Sequence, residues 1–305
     1  MAAIAALREG AQVHIVERSQ FPKHKVCGEF LSPEIAPVLA RAGVLDAFLD
    51  CQPFRVRRMS LHFGLREKHA VLPEPAYGLS RYTFDHLLWS TAEALGAQRS
   101  EDASNPAIVA CGRPPGSDSK GTRLFGFKAH FEGPVDDAVE LYFLGRAYVG
   151  INCIEQGRTN VCGLAPESLL NAHGFNPESL MEAGPALRSR LKPLHRVMKW
   201  IFTGPLEYAQ RWDRNDVYLA GDALSFVDPF TGSGLLCAAV TGSLAGVHAA
   251  RRVPVEDHLR ICRASIAKPF LFSSVLRSIA ATEWAERLVG FVPGEWLFHL
   301  TRPRA

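Results

Sequence analysis

One string narrows the possible folds more than any other part of the sequence. Val217-Tyr-Leu-Ala-Gly221-Asp222 is followed by Asp228-Pro229-Phe-Thr-Gly232-Ser233-Gly234-Leu-Leu. A short apolar strand runs into a Gly-Asp turn, a loop follows, and two glycines open a long run of small apolar residues with helical character. Gly232 and Gly234 allow a ligand to approach the backbone closely. The first amides of a helix have no internal acceptor and sit at the positive end of its dipole, so they favour an anion or an electron-rich carbonyl. Asp222 can accept hydrogen bonds from sugar or ribityl hydroxyls. Gly-x-Gly alone is equally compatible with an ordinary capped helix, but the whole spacing favours a bound dinucleotide.

The N-terminal text points the same way. Residues 2–9 predict a helix stopped by Gly10, and 12–17 predict a short strand ending in Glu17. Helix, glycine, strand and acid form the second half of a β-α-β nucleotide-binding unit. The first strand and its glycine-rich turn would lie before Met1. That strand is ordinarily central in its sheet; without it two strands face each other across a gap with unpaired backbone groups. The expectation is a natural chain that starts upstream, with a degenerate protein that holds its cofactor weakly as the other possibility.

Further along, a helix is predicted over 83–95, closed by Gly96, and a short buried strand over 107–110. From 123 to 164 the sequence is β-rich, with strands predicted over 125–131, 139–143, 147–154 and 159–164. Glu155-Gln-Gly-Arg158 reads as the turn between the last two. Residues 166–203 read as helical, as does the apolar tail over 256–300, interrupted by Pro269 and Pro293. Lys128 and His130 alternate with Phe127, Ala129 and Phe131, so the two polar groups share one strand face. They line a substrate pocket or face solvent at an edge.

Composition excludes several classes. The 305 residues carry 34 Lys+Arg against 31 Asp+Glu, a net +3, with no basic cluster of the kind nucleic acid requires. A chain of this length buries about 75% of its unfolded surface and needs no disulfide or structural metal. The seven cysteines are odd in number and lack any C-x-x-C spacing, which suits reduced thiols in a cytoplasm. The histidines show no ligand spacing, so no metal is assigned, and no G-x-S-x-G elbow supports a hydrolase. The N-terminus lacks the basic region and cleavage site of a signal peptide. Residues 229–250 carry no Asp, Glu, Lys or Arg, a length close to the ~20 residues of a membrane span. The small residues Gly242, Ser243 and Gly246 instead predict a helix packed tightly on a sheet.

The Gly221–Leu236 string resembles the flavin-contacting motif of FAD-dependent oxidoreductases with the para-hydroxybenzoate hydroxylase fold, geranylgeranyl reductase-like branch. The segment V-H-I-V-E-R-S-Q-F-P-K-H-K-V-C-G-E-F-L-S-P over 13–33 is similar to that branch's text after the second strand. The resemblance runs from Met1 to about residue 250. It implies an α/β fold: a Rossmann-like FAD domain (1–54, 78–112 and 206–254) interleaved with a β-sheet substrate domain (55–77 and 113–205), then C-terminal helices (255–305).

It also implies site residues. Glu17, with Arg18 beside it, would hold the adenosine ribose through a carboxylate that accepts two hydroxyls. Lys25 and Cys27 would stand beside the flavin and its phosphates, with Cys27 as the candidate catalytic group. Arg81 would reach the ribityl-phosphate chain, and Gly221, Asp222, Pro229, Gly232, Ser233 and Gly234 would complete the cofactor site. Lys128, His130 and Tyr148 are the candidate substrate contacts. Three departures stand out. The G-x-G-x-x-G turn has no counterpart. Val109-Ala-Cys111-Gly-Arg113 replaces the family's Gly-Ala-Asp-Gly-Arg. Of the branch's aromatic pocket motif only Tyr148 remains. The expected function is an FAD-dependent reductase or monooxygenase of an apolar small molecule, with NAD(P)H as reductant. The competing expectation is a non-catalytic remnant that binds a small molecule or a partner. The tail 270–296 reads as a packing helix, a lid over substrate or a peripheral membrane contact.

Overall fold

The computed structural model describes residues 1–64, 66–102, 104–112, 123–206, 211–212, 216–226 and 232–266. Pro229 and the tail beyond 266 lie outside them. In chain order the elements are α1 (Ala2–Arg8), β1 (His14–Ile15), β2 (Phe30–Leu31), α2 (Ile35–Arg41), α3 (Leu45–Asp50), β3 (Phe54–Phe63), β4 (Arg66–Gly78) and α4 (Arg81–Ala94). There follow β5 (Gln98–Arg99), β6 (Ile108–Val109), β7 (Leu124–Glu132), β8 (Ala138–Leu144), β9 (Ala147–Cys153) and β10 (Thr159–Pro166). The last are α5 (Glu167–Ala172), α6 (Pro177–Met181), α7 (Pro185–Leu191), β11 (His195–Arg196), β12 (Ile201–Leu206), β13 (Tyr218–Leu219) and α8 (Gly234–Ala250).

Nine of these strands form one mixed sheet in the order β11-β7-β10-β9-β8-β3-β4-β2, with β12 also on the outer edge of β7. Only β3 and β8 run parallel within it. Its central strands are covered on both faces, for different reasons. Phe127, Ala129, Phe131, Val149, Ile151 and Val161 form an apolar face under Leu170, Leu180, Met181 and Leu187 of α5–α7. The alternate residues of β7, β9 and β10 are largely polar, and the segment 24–31 lies over them. The period of two along each strand thus separates a hydrophobic core from a buried polar layer.

The remaining strands make two short parallel pairs, β1 with β5 and β6 with β13. No described strand joins the pairs, which matches the expected gap where a central strand would run. Beside them α8 packs on α1 at small-residue positions: a Cβ on Gly246 would collide with the Ala2 carbonyl oxygen. The small-residue run is therefore a packed helix of 17 residues, and no helix among the described residues is long and apolar enough to cross a membrane.

The strands predicted over 123–164 appear within two residues of their expected bounds. Residues 166–203 are corrected in part. Helices α5–α7 form, but 195–196 and 201–206 are strands, because the open edge of β7 supplies backbone partners that outweigh local preference. The β3–β4 hairpin, in the stretch 55–77 assigned to the β-sheet domain, forms although Pro73 and Pro75 lie within β4. The ladder accommodates them at a register shift between Val56 and Arg58, where the Arg57 and Arg58 amides donate instead to the Asp137 carbonyl.

Candidate active site

The sequence between β1 and β2 crosses the polar face of the large sheet and is tied to it by a dense set of bonds. Opposed residues on neighbouring strands share a face, so the register sets Lys128 beside Cys162 and Gly150, and His130 beside Asn160 and Asn152. Buried Asn160 donates Nδ2 to the Gly28 carbonyl at 2.8 Å and to that of Cys27 at 3.2 Å. Lys128 Nζ donates to the Lys25 carbonyl at 3.2 Å and forms an ion pair with Glu29 Oε1. His130 Nε2 meets Glu29 Oε2 at 2.7 Å, and the Arg81 amide donates to Oε1 at 2.6 Å. Lys128, His130 and Glu29 are all buried.

The electrostatics follow from that burial. Desolvation alone would raise the Glu29 carboxyl, but the His130 hydrogen bond and the Lys128 charge hold it below the usual carboxylate range. His24, tilted against the Tyr82 ring at 4.8 Å and edge-on to His130 at 5.2 Å, is lowered by burial and by the charges of Lys128 and His130. The Cys162 thiol is pushed up to about 12, chiefly by burial, and is inert as a nucleophile. His24, Glu29 and His130 also offer three ligand atoms within 4.8 Å of one another. The Lys128 ammonium already neutralises Glu29 there, so a divalent ion would add unbalanced charge to a buried site.

A second cluster surrounds Cys27. Its Sγ accepts the Glu29 amide at 3.4 Å and lies against the Arg81 guanidinium. Arg81 binds Asp85 through Nε at 2.7 Å and Nη2 at 2.8 Å, while Lys25 Nζ reaches the same carboxylate at 2.9 Å. Burial raises the Asp85 carboxyl and the two cations more than offset that, so the group stays ionised. Lys25 and Arg81 are thus brought together as expected, but around Asp85. A phosphate that recruited them would share them with that carboxylate. The start of α4 is held by a third acid: Glu155, from the β9–β10 turn, accepts the Ser80 amide at 2.8 Å and the Thr83 hydroxyl at 2.7 Å.

The third wall is the string that opened the sequence. Gly221 donates its amide to Thr241 Oγ1 at 2.9 Å, which fixes the Gly-Asp turn to α8. Gly232 adopts φ +65°, and a Cβ there would lie 2.8 Å from the Phe30 ring, so this turn meets the C-G-E-F segment directly. Ser233 is buried and makes no side-chain cap bond to α8. Among the described residues outside the helix and its chain neighbours, nothing lies within 4 Å of the position a Cβ on Gly234 would take, and a helix start open in this way suits a flavin carbonyl or an anion.

The other expected residues lie apart from this centre. Glu17 and Arg18 are exposed beyond β1, with Glu17 Oε1 accepting the Ser19 amide at 2.7 Å. Asp222 is half-buried in the turn after β13, and Tyr148 is half-buried on β9 with its ring 6.4 Å from Phe143. Pro229 lies outside the described residues. The sequence reading missed Glu29, His24, Asn160 and Asp85. The alternation of Lys128 with His130 was the available signal, since two cations on a buried face require an acid opposite.

Solved structures share this fold. A flavoprotein/dehydrogenase from Cytophaga hutchinsonii superposes with a TM-score of 0.80 at 17% identity, covering 98% of this chain and 87% of its own. The myxobacterial chondrochloren halogenase, an FAD-dependent halogenase, gives 0.74 at 16% identity, covering 100% and 91%. A geranylgeranyl bacteriochlorophyll reductase-like protein from Thermoplasma acidophilum gives 0.66 at 17% identity, covering 98% and 87%. The chain has the para-hydroxybenzoate hydroxylase-like fold of flavin-dependent enzymes. No protein-family model and no curated protein matches it.

Proposed function

We propose that the chain is an FAD-dependent oxidoreductase whose isoalloxazine lies between the start of α8 and the Cys27–Phe30 segment. The observation that carries this reading is the open helix start at Gly234, faced by the Gly232 turn and Phe30. When bound, the flavin supplies the hydride or oxygen chemistry. The chain's own part would be position and electrostatics: the α8 amides would favour negative charge at the ring, Asp222 would accept ribityl hydroxyls, and Glu17 those of the adenosine ribose. Lys25 and Arg81 would be shared between the phosphates and Asp85. Cys27, beside Arg81, is the candidate catalytic thiol.

In this reading NAD(P)H supplies the electrons and the substrate is an apolar small molecule, with reductase and monooxygenase chemistry both open. The flavin-dependent halogenases among the structural neighbours add halogenation to that range. The free state of all seven cysteines fits a cytoplasmic setting. The tail considered for a lid or membrane contact lies outside the described residues.

One observation favours the second reading, a non-catalytic protein that binds a small molecule: the unjoined parallel pairs leave the adenosine side of the site without a continuous sheet. An absorbance spectrum of purified protein, with and without added FAD, separates the two. Bands near the flavin maxima that stay with the protein through gel filtration support the enzyme. A protein that remains colourless after incubation with FAD rules it out.

A further inference from the structure

Glu29 sits in a setting built for an anion. Lys128 Nζ and the Arg81 amide converge on Oε1 and His130 Nε2 on Oε2, and the side chains of Glu29, Lys128 and His130 are buried. The residue adopts φ +53°, in the left-handed region that glycine occupies more easily. A turn that needed only this backbone shape would be better served by glycine, so the carboxylate is what the position requires. Around it, Asn160 and Lys128 hold the carbonyls of Lys25, Cys27 and Gly28. The next residue, Phe30, is the one that the Gly232 turn touches.

We infer that Lys128, His130 and the Arg81 amide form an anion-binding pocket that the chain fills with its own Glu29 carboxylate, making Glu29 the positioning residue of the Cys27–Phe30 wall. With the pocket filled, the ring of Phe30 is set against the Gly232 turn that precedes α8. Emptied, the segment keeps its Asn160 bonds but loses the anchor between them and Phe30. The pocket itself follows from the geometry of the chain alone. Its effect on the cofactor rests on the flavin reading above.

The test uses Glu29→Gly, which removes the carboxylate and suits the backbone. Thermal unfolding and FAD titration are run on this variant and on the wild type with formate, with chloride at equal ionic strength, and with zinc. The variant is expected to bind FAD about tenfold more weakly. Formate at tens of millimolar is expected to raise the variant's Tm and recover most of the affinity, while leaving the wild type unchanged. No formate effect on the variant, or an equal effect of chloride, overturns the pocket. A zinc-dependent rise in the wild-type Tm that Glu29→Gly abolishes overturns it in favour of a cation site at His24, Glu29 and His130. If the wild type binds no FAD, the flavin reading fails, yet the formate-dependent Tm of the variant still decides the pocket. Should Glu29→Gly be insoluble, Glu29→Gln/Lys128→Met removes both charges at similar volume. Weakened FAD binding by this soluble pair variant supports the positioning role, and unchanged binding overturns it.

Discussion

At the residue scale, the buried pair Lys128–Glu29 governs the cost of any change on the polar face. Removing only the cation, in Lys128→Met, leaves an ionised carboxylate without water or a full counter-charge. We expect a loss of about 3–5 kcal/mol in urea unfolding, with Glu29→Gln/Lys128→Met recovering much of it. A single variant within about 1 kcal/mol of wild type would show that the pair behaves as a solvated one. The same carboxylate makes an acid-side prediction. Its folded pKa is lowered, so its contribution is present above the unfolded value of about 4.3 and is lost as pH falls through the folded value. Stability measured from pH 6 to pH 3 is expected to fall less steeply in Glu29→Gln than in the wild type. Parallel curves would count against the assignment.

At the scale of elements, α8 carries two glycines with opposite roles. Gly246 meets the α1 backbone, so Gly246→Ala forces the helices apart and is expected to lose about 1–3 kcal/mol of stability. Gly234 faces open space, so Gly234→Ala is expected to leave Tm nearly unchanged and to weaken FAD binding. A Gly234→Ala protein with wild-type FAD affinity would place the flavin elsewhere. The far end of α8 holds a histidine pair. His258 Nε2–H donates to the Leu219 carbonyl at 2.9 Å, so its Nδ1 accepts from His248 Nδ1–H at 3.0 Å, and both rings are neutral. Both are lowered below the ordinary histidine range, chiefly by burial. Their contribution is therefore full above the unfolded pKa of about 6.5 and declines as pH falls toward the folded values. Because His258 holds β13, the Gly-Asp turn loses an anchor over the same interval. Unfolding free energies at pH 8 and pH 5.5 are expected to differ more for the wild type than for His258→Gln, and equal differences would remove the pair from the account.

For the whole molecule, a ligand that binds only the folded chain stabilises it by mass action, about 2.7 kcal/mol at a hundredfold excess over Kd. FAD is expected to raise Tm in a concentration-dependent way, with adenosine diphosphate alone giving a smaller shift. Equal shifts from both would move the binding energy away from the α8 start.

Local pattern was enough to read the parallel fragments, the four strands over 123–164 and the glycine-opened helix, because strand alternation and helix punctuation are properties of neighbouring residues. Lys128 and His130 were legible as two polar groups on one face. What they faced was not, because Glu29 lies about a hundred positions away in the chain and only the sheet register brings it there. The strands 195–196 and 201–206 escaped for a related reason: an edge strand forms where a partner waits, and its own residues carry little of that information. The sequence by itself determined the fold class and the candidate cofactor turn, both written in short-range spacing. Tertiary structure alone decided that the polar face is neutralised from within by Glu29 and that Lys25 joins the i,i+4 pair of Arg81 with Asp85. Burial makes unpaired charge costly, and the acids that relieve it are recruited through space.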